Sequence, residues 1–283
     1  MSSPSSLPVA LAEHGCPSGG PPVQSAGPGC APYRDYVGVD ALQALQRPKT
    51  DHPAELLFLT ITQVQELMLS FLVKEVWRAR DHLFLGDVDG ALWQLRRIVS
   101  AQQVLLSTWE PLNTMSAPEY LDFRDALGDA SGFQSATFRL FEFSLGRKSP
   151  HLTEFYRDVP AVHQQLVDAL ADPSLYDAAI HLLRRRSLLT TASTDGHPLP
   201  EEVEQAWAAV YRNPDQDRSL FLLAESLSDV AAQFVRWRSE HVLIVERVLG
   251  ARAGTAGTSG LDWLRRSADH RFFPELWAAR SCL

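Results

Sequence analysis

From Tyr33 onward, apolar residues recur every third or fourth position, and the strict alternation of a half-buried strand is almost absent. Leu, Ala, Arg, Glu and Gln fill these segments, and all are good helix formers. The pattern predicts helices over about 38–46, 55–84, 88–109, 117–127, 131–146, 151–156, 160–171, 174–188, 200–211, 219–249 and 259–268. The breaks coincide with Pro48 and Pro53, Gly86-Asp87, Pro111, Pro150, Pro160, Pro173, Gly196-His197-Pro198, Pro214 and Gly250. The fold class is therefore all-α, with one domain over residues 32–283. Residues 1–31 are rich in Pro, Gly and Ser and hold few large apolar residues. Such a segment buries too little surface to offset its ordering entropy, so it is expected to be a disordered tail.

Composition adds exclusions. A formal net charge of −8 over 283 residues argues against nucleic acid or an anionic membrane surface as the main partner. No uninterrupted apolar run reaches the ~20 residues of a membrane-spanning helix, and no basic-then-apolar leader opens the chain. The three cysteines, Cys16, Cys30 and Cys282, lie near the chain ends and form neither a CxxC pair nor a zinc pattern. A reducing cytoplasm is the expected compartment.

The segment 219–249 holds the most chemistry. Leu220, Leu223, Leu227, Val230, Phe234, Trp237, His241, Val245 and Val248 make one apolar stripe with a histidine inside it. Such a histidine is either a core residue bonded to a neighbour or a ligand to a metal or haem iron, and a lone imidazole does not decide between them. Gly250 and the run Gly254 to Gly260 follow, small residues whose backbone can approach a ligand or simply join two helices. A second constellation holds Tyr120 and Arg124, one helical turn apart, then Ser131-Gly132-Phe133-Gln134-Ser135. The guanidinium suits a carboxylate ligand or an intramolecular salt bridge. Ser131 could equally be a helix cap.

Together these blocks resemble the tryptophan 2,3-dioxygenase family. The segments that carry the likeness are Tyr33-Arg-Asp-Tyr36, Glu55-Leu-Leu-Phe58, Gln63 with Glu66-Leu67, and Phe123-Arg124. Further along are Ser131 to Ser135 with Phe138-Arg139, Trp237-Arg-Ser-Glu-His241, Gly254 to Gly260, and Phe272-Phe-Pro-Glu-Leu276. The resemblance implies a helical homotetramer with one haem b per subunit, acting on tryptophan or a close derivative with O2 as co-substrate. By resemblance His241 is the proximal iron ligand, with Trp237 beside the haem. Arg124 takes the substrate carboxylate, Tyr120 lines the same pocket, and Thr255 takes the ammonium and carboxylate. Ser131 and Gly132 lie over the distal haem face, and Tyr33 and Tyr36 reach a neighbouring subunit's pocket.

One block departs from the family pattern. Where the family reads His-Asp-Glu before Leu-Phe-Ile, followed by a His-Gln pair, this chain reads Pro53-Ala54-Glu55 and Thr62-Gln63. Pro53 thus takes the place of the distal histidine, with His52 adjacent. Loss of that hydrogen-bond partner favours a divergent outcome: insertion of one oxygen to give an oxindole, on tryptophan or a substituted tryptophan such as β-methyltryptophan, in natural-product biosynthesis. The alternatives are an ordinary dioxygenase giving N-formylkynurenine and a non-catalytic haem- or indole-binding protein.

Overall fold

A computed structural model describes residues 31–189, 198–250, 252 and 261–283. The described residues form helices and turns only, as the apolar spacing predicts. The tail expected over 1–31 lies almost wholly outside the described residues.

The chain divides into two compact units, Met1–Leu45 and Gln46–Leu283. In the first, α1 (Pro32–Val37) and α2 (Val39–Ala44) meet at Gly38, whose φ of 69° lets the chain turn between them. Tyr33 and Tyr36 are both exposed on α1. This helix is absent from the predicted set, because a six-residue element offers too little periodicity to detect.

The second unit is built on long helices. α3 (Pro53–Leu85) packs on α4 (Val88–Ser107), α7 (Ala136–Leu145) and α9 (Leu175–Arg185), and α4 packs on α11 (Arg218–Leu249). Pro53 opens α3 at a position where its missing N–H costs nothing. Gly86, at φ 80°, closes it, and Asp87 then caps α4 by accepting from the Gly90 N–H at 2.9 Å.

Shorter elements fill the gaps: α5 (Trp109–Leu112), α6 (Ala117–Arg124), α8 (Pro160–Ala171), α10 (Pro200–Arg212), α12 (Leu261–Ala268) and α13 (Pro274–Ala279). The helix expected over 131–146 is instead a 3₁₀ turn, Gly132–Gln134, followed by α7. Ser135 makes the break by capping Phe138 N at 3.0 Å. The segment expected over 151–156 is likewise two 3₁₀ turns. In α11 the predicted stripe is buried from Leu220 to Trp237, at about 1.5–3 kcal/mol for each large apolar side chain.

Two buried hydrogen bonds fix α11 against its neighbours. Gln102 Nε2 donates to Val230 O, and Trp109 Nε1 donates to Trp237 O, both at 3.1 Å. Donors and acceptors advance by the same two turns, so α11 cannot rotate without breaking both.

One helix is long and apolar by composition, which does not conflict with the absence of a long uninterrupted apolar run. α3 contains an 18-residue window of mean hydropathy 1.7, long and apolar enough by length and composition to cross a bilayer. Counting consecutive apolar residues misses it because Gln63, Gln65 and Glu66 interrupt the run. Only 17% of that window is buried, and Leu56, Leu67 and Phe71 are exposed on it.

Candidate active site

The second unit encloses a cavity of about 490 Å³, within the range of small-molecule pockets. One wall is a face of α3: Phe58, Thr62, Gln65, Glu66 and Leu69. Opposite stand Trp109, Tyr120, the Ser131–Ser135 turn, Phe138 and Arg139, with Trp237, Arg238, His241 and Val245 from α11.

His241 occupies the cavity wall with its ring stacked on Trp109, centroids 4.8 Å apart and planes 16° from parallel. Its Nδ1 is buried without a hydrogen-bond partner among the described residues. Burial, reinforced by the nearby Arg238 guanidinium, drives its pKa down to about 3. The imidazole is therefore neutral across the physiological range, which is the form that ligates iron. Among the described residues no group of three His, Cys, Asp or Glu could hold a metal ion. An ion held through His241 would take its remaining ligands from a bound group.

Buried charge marks one end of the cavity. Arg139 and Glu142, one turn apart on α7, are both buried and ion-paired. Arg147 Nη1 donates to the other Glu142 oxygen at 2.7 Å. Arg139 and Arg238 both lie over the Phe138 ring, each 5.1 Å from its centroid. Burial and the neighbouring Arg139 and Arg147 push Arg238 down to about 10, opposed by Glu142. Three guanidinia thus surround a single buried carboxylate, and two of the three line the cavity. Such a wall suits a ligand that brings carboxylates of its own. Trp237 Nε1, buried and without a partner among the described residues, adds a donor at the same wall.

Tyr120 is buried and lines the cavity. Burial raises its hydroxyl pKa, while the adjacent Arg124 opposes the shift. Arg124 ends α6 half-buried, beside that hydroxyl but not among the residues lining the cavity. Ser131 and Gly132 do line it, and Ser131 also caps its 3₁₀ turn by accepting from Phe133 N at 3.3 Å. Thr255, with the run Gly254 to Gly260, lies outside the described residues.

Of the distal candidates, His52 and Pro53 are not among the residues that line the cavity. Glu55 is buried and accepts from Lys49 N and Thr50 N, each at 2.6 Å, which clamps the loop ahead of α3. That clamp leaves His52 as the cap of α3, its Nδ1 accepting from Ala54 N at 3.2 Å. Its Nε2 faces Asp122 Oδ2 at 3.6 Å.

Sequence reasoning missed several wall residues. Arg139 and Glu142 carried a signal, two charges inside the otherwise apolar run Phe138 to Phe143. Phe58, Thr62, Gln65, Glu66 and Leu69 share a helical face but look like any amphipathic stretch. Trp109 showed nothing beyond its place beside Pro111.

The sequence model of the family described as tryptophan 2,3-dioxygenase matches residues 18–197 and 202–283. The chain belongs to this family. A tryptophan 2,3-dioxygenase of Exiguobacterium sibiricum is 39% identical over 257 residues, 89% of this chain and 92% of the relative. One of Caulobacter vibrioides is 42% identical over 259 residues, 89% of this chain and 98% of the relative. One of Bacillus cereus is 37% identical over 257 residues. The tryptophan 2,3-dioxygenase family is one of oxidoreductases, so the cavity belongs to an enzyme fold.

Proposed function

We propose that this chain is a haem-dependent oxygenase that adds both atoms of O2 across the indole C2–C3 bond of tryptophan, giving N-formylkynurenine. The observation that carries the reading is similarity along 89% of the chain to relatives named for 2,3-dioxygenation. It favours this outcome over the oxindole-forming one, which rests only on the departures around Pro53 and Thr62.

Haem b fits the cavity. His241 offers a neutral ring nitrogen, and Arg139, Arg238 and the indole N–H of Trp237 offer partners for porphyrin carboxylates. When bound, the haem supplies the iron that activates dioxygen. The chain's own part is to position the substrate and exclude water. Arg124 is assigned the substrate carboxylate, its guanidinium held beside the Tyr120 hydroxyl, and Thr255 the ammonium. Tyr120 and Phe58, with ring centroids 6.0 Å apart, give an aromatic wall for the indole. Ser131 and Gly132, which line the same cavity as His241, would border the bound haem and substrate.

The exposed apolar face of α3 supports a homotetramer, since an oligomer would cover Leu56, Leu67 and Phe71. Tyr33 and Tyr36, both exposed on α1, would then be available to a neighbouring subunit. A cytoplasmic enzyme with a single catalytic domain over 32–283 fits these assignments.

Product analysis with ¹⁸O₂ tests the reading. Haem-loaded, pre-reduced enzyme with tryptophan should give ring-opened product carrying two labelled oxygens. One labelled oxygen in an intact ring would restore the oxindole reading, and tryptophan binding without product would leave only a binding protein.

A further inference from the structure

Resting on that reading, we propose that Glu142 is a positioning residue that couples two segments of the cavity wall, the Ser131–Ser135 turn and α12, so that tryptophan meets both in register. The turn brings Ser131, Gly132 and Phe133 to the wall, and α12 brings Leu264. The two segments are remote in sequence, and Glu142, on α7, is fully buried.

Each oxygen of the Glu142 carboxylate has its own guanidinium. Oε2 accepts from Arg139, and Oε1 accepts from Arg147 at 2.7 Å. Arg139 carries the link to the turn. Its Nη2 donates to Phe133 O at 3.3 Å, and its guanidinium lies 5.0 Å from the centroid of the Phe133 ring. Arg147 carries the link to α12, its Nη1 donating to the buried Ser267 Oγ at 3.4 Å. Gly146 makes this second link possible. At φ 121° it ends α7 and turns the chain back, so that Arg147 N donates to Glu142 O at 2.9 Å. A Cβ there would meet Tyr176 Cβ at 2.8 Å, which leaves room for glycine alone. Charge-assisted hydrogen bonds away from bulk solvent are strong and strict in geometry. A shift of either guanidinium therefore moves the shared carboxylate, and with it the other guanidinium. The ion pair of Arg265 with Glu246 also ties α12 to α11, but it is exposed and contributes little.

The test is hydrogen exchange of the wild-type holoenzyme and of Ser267→Ala, a small change outside the cavity lining. Exchange should speed up in the Ser131–Ser135 turn as well as at α12. Faster exchange at α12 alone would overturn the proposal. Tryptophan affinity, read from the shift of the haem band, gives the functional side. The dissociation constant should rise about threefold in Ser267→Ala, the size of one weak hydrogen bond. It should rise also in Arg139→Lys, which keeps the charge beside Glu142 and gives up the bond to Phe133. The double variant should bind no worse than the weaker single variant, because both cut the same chain of contacts. Effects that multiply would overturn the coupling, as would lower stability with tryptophan affinity unchanged. A wild type that takes up haem and shows no response to tryptophan would instead overturn the functional reading, while the exchange measurement would still decide the coupling.

Discussion

The indole of Trp109 serves two neighbours on α11 at once. Its face stacks on the His241 ring at 4.8 Å, and its N–H donates to the main-chain oxygen of Trp237, one turn earlier. A single side chain therefore fixes both the rotation of α11 and the plane of its imidazole. Gln65 steadies the same corner, donating to Thr108 Oγ1 at 2.9 Å, which in turn donates to Leu105 O at 2.6 Å.

Trp109→Ala removes the stack, the hydrogen bond and a large buried volume. A cost of about 3–5 kcal/mol is expected, read as a lower urea midpoint of the haem-free protein. Trp109→Phe keeps a stacking face and loses only the bond to Trp237, at about 1 kcal/mol. Comparable losses in both variants would show that the stack contributes little.

His241→Ala should abolish the haem absorption band of purified protein while leaving the helical far-ultraviolet signal unchanged. Free imidazole added to the variant should restore part of the band by filling the space the side chain leaves. A variant that keeps wild-type haem content would remove His241 from the site.

Much of this was readable from the residues. The stripe from Leu220 to Val248 placed His241 on a buried face, and a helix obeys a 3.6-residue period whatever packs against it. The Tyr120 and Arg124 pair was legible for the same reason. What stayed hidden depends on partners remote in sequence. Nothing near Trp109 announces that it will meet His241 across 132 positions. The fate of His52 was equally hidden, because it turns on whether Glu55 points outward or, as here, back to clamp residues 49 and 50.

Glu142→Gln tests the buried charges. It removes the carboxylate shared by Arg139 and Arg147 and leaves their guanidinia, with that of Arg238, facing one another. Breaking a buried pair in this way costs about 3–5 kcal/mol. Equilibrium urea unfolding of the haem-free protein should show it. Porphyrin carboxylates would offset part of the repulsion, so the deficit should shrink when haem is bound. A deficit of the same size in both forms would place the haem carboxylates elsewhere.

His52→Gln should leave the product and kcat/KM close to wild type, because His52 faces its helix start and Asp122 rather than the cavity. Loss of the cap should cost about 1 kcal/mol of stability. A hundredfold fall in kcat/KM with stability preserved would mean that His52 reaches the substrate, and the reading of the loop before α3 would fail.

Acid sensitivity follows from His270. Burial and the Arg147 guanidinium depress its pKa to about 4, against a weaker opposing pull from Glu142. The folded state holds this ring neutral, while the unfolded chain protonates it near its ordinary value of about 6.5. Its contribution to stability is therefore complete above that value and is lost as pH falls toward 4. Haem-free protein should show a urea midpoint that declines across this window, and His270→Asn should flatten part of the decline. An identical slope in the variant would assign the acid sensitivity to His241 and the other buried groups.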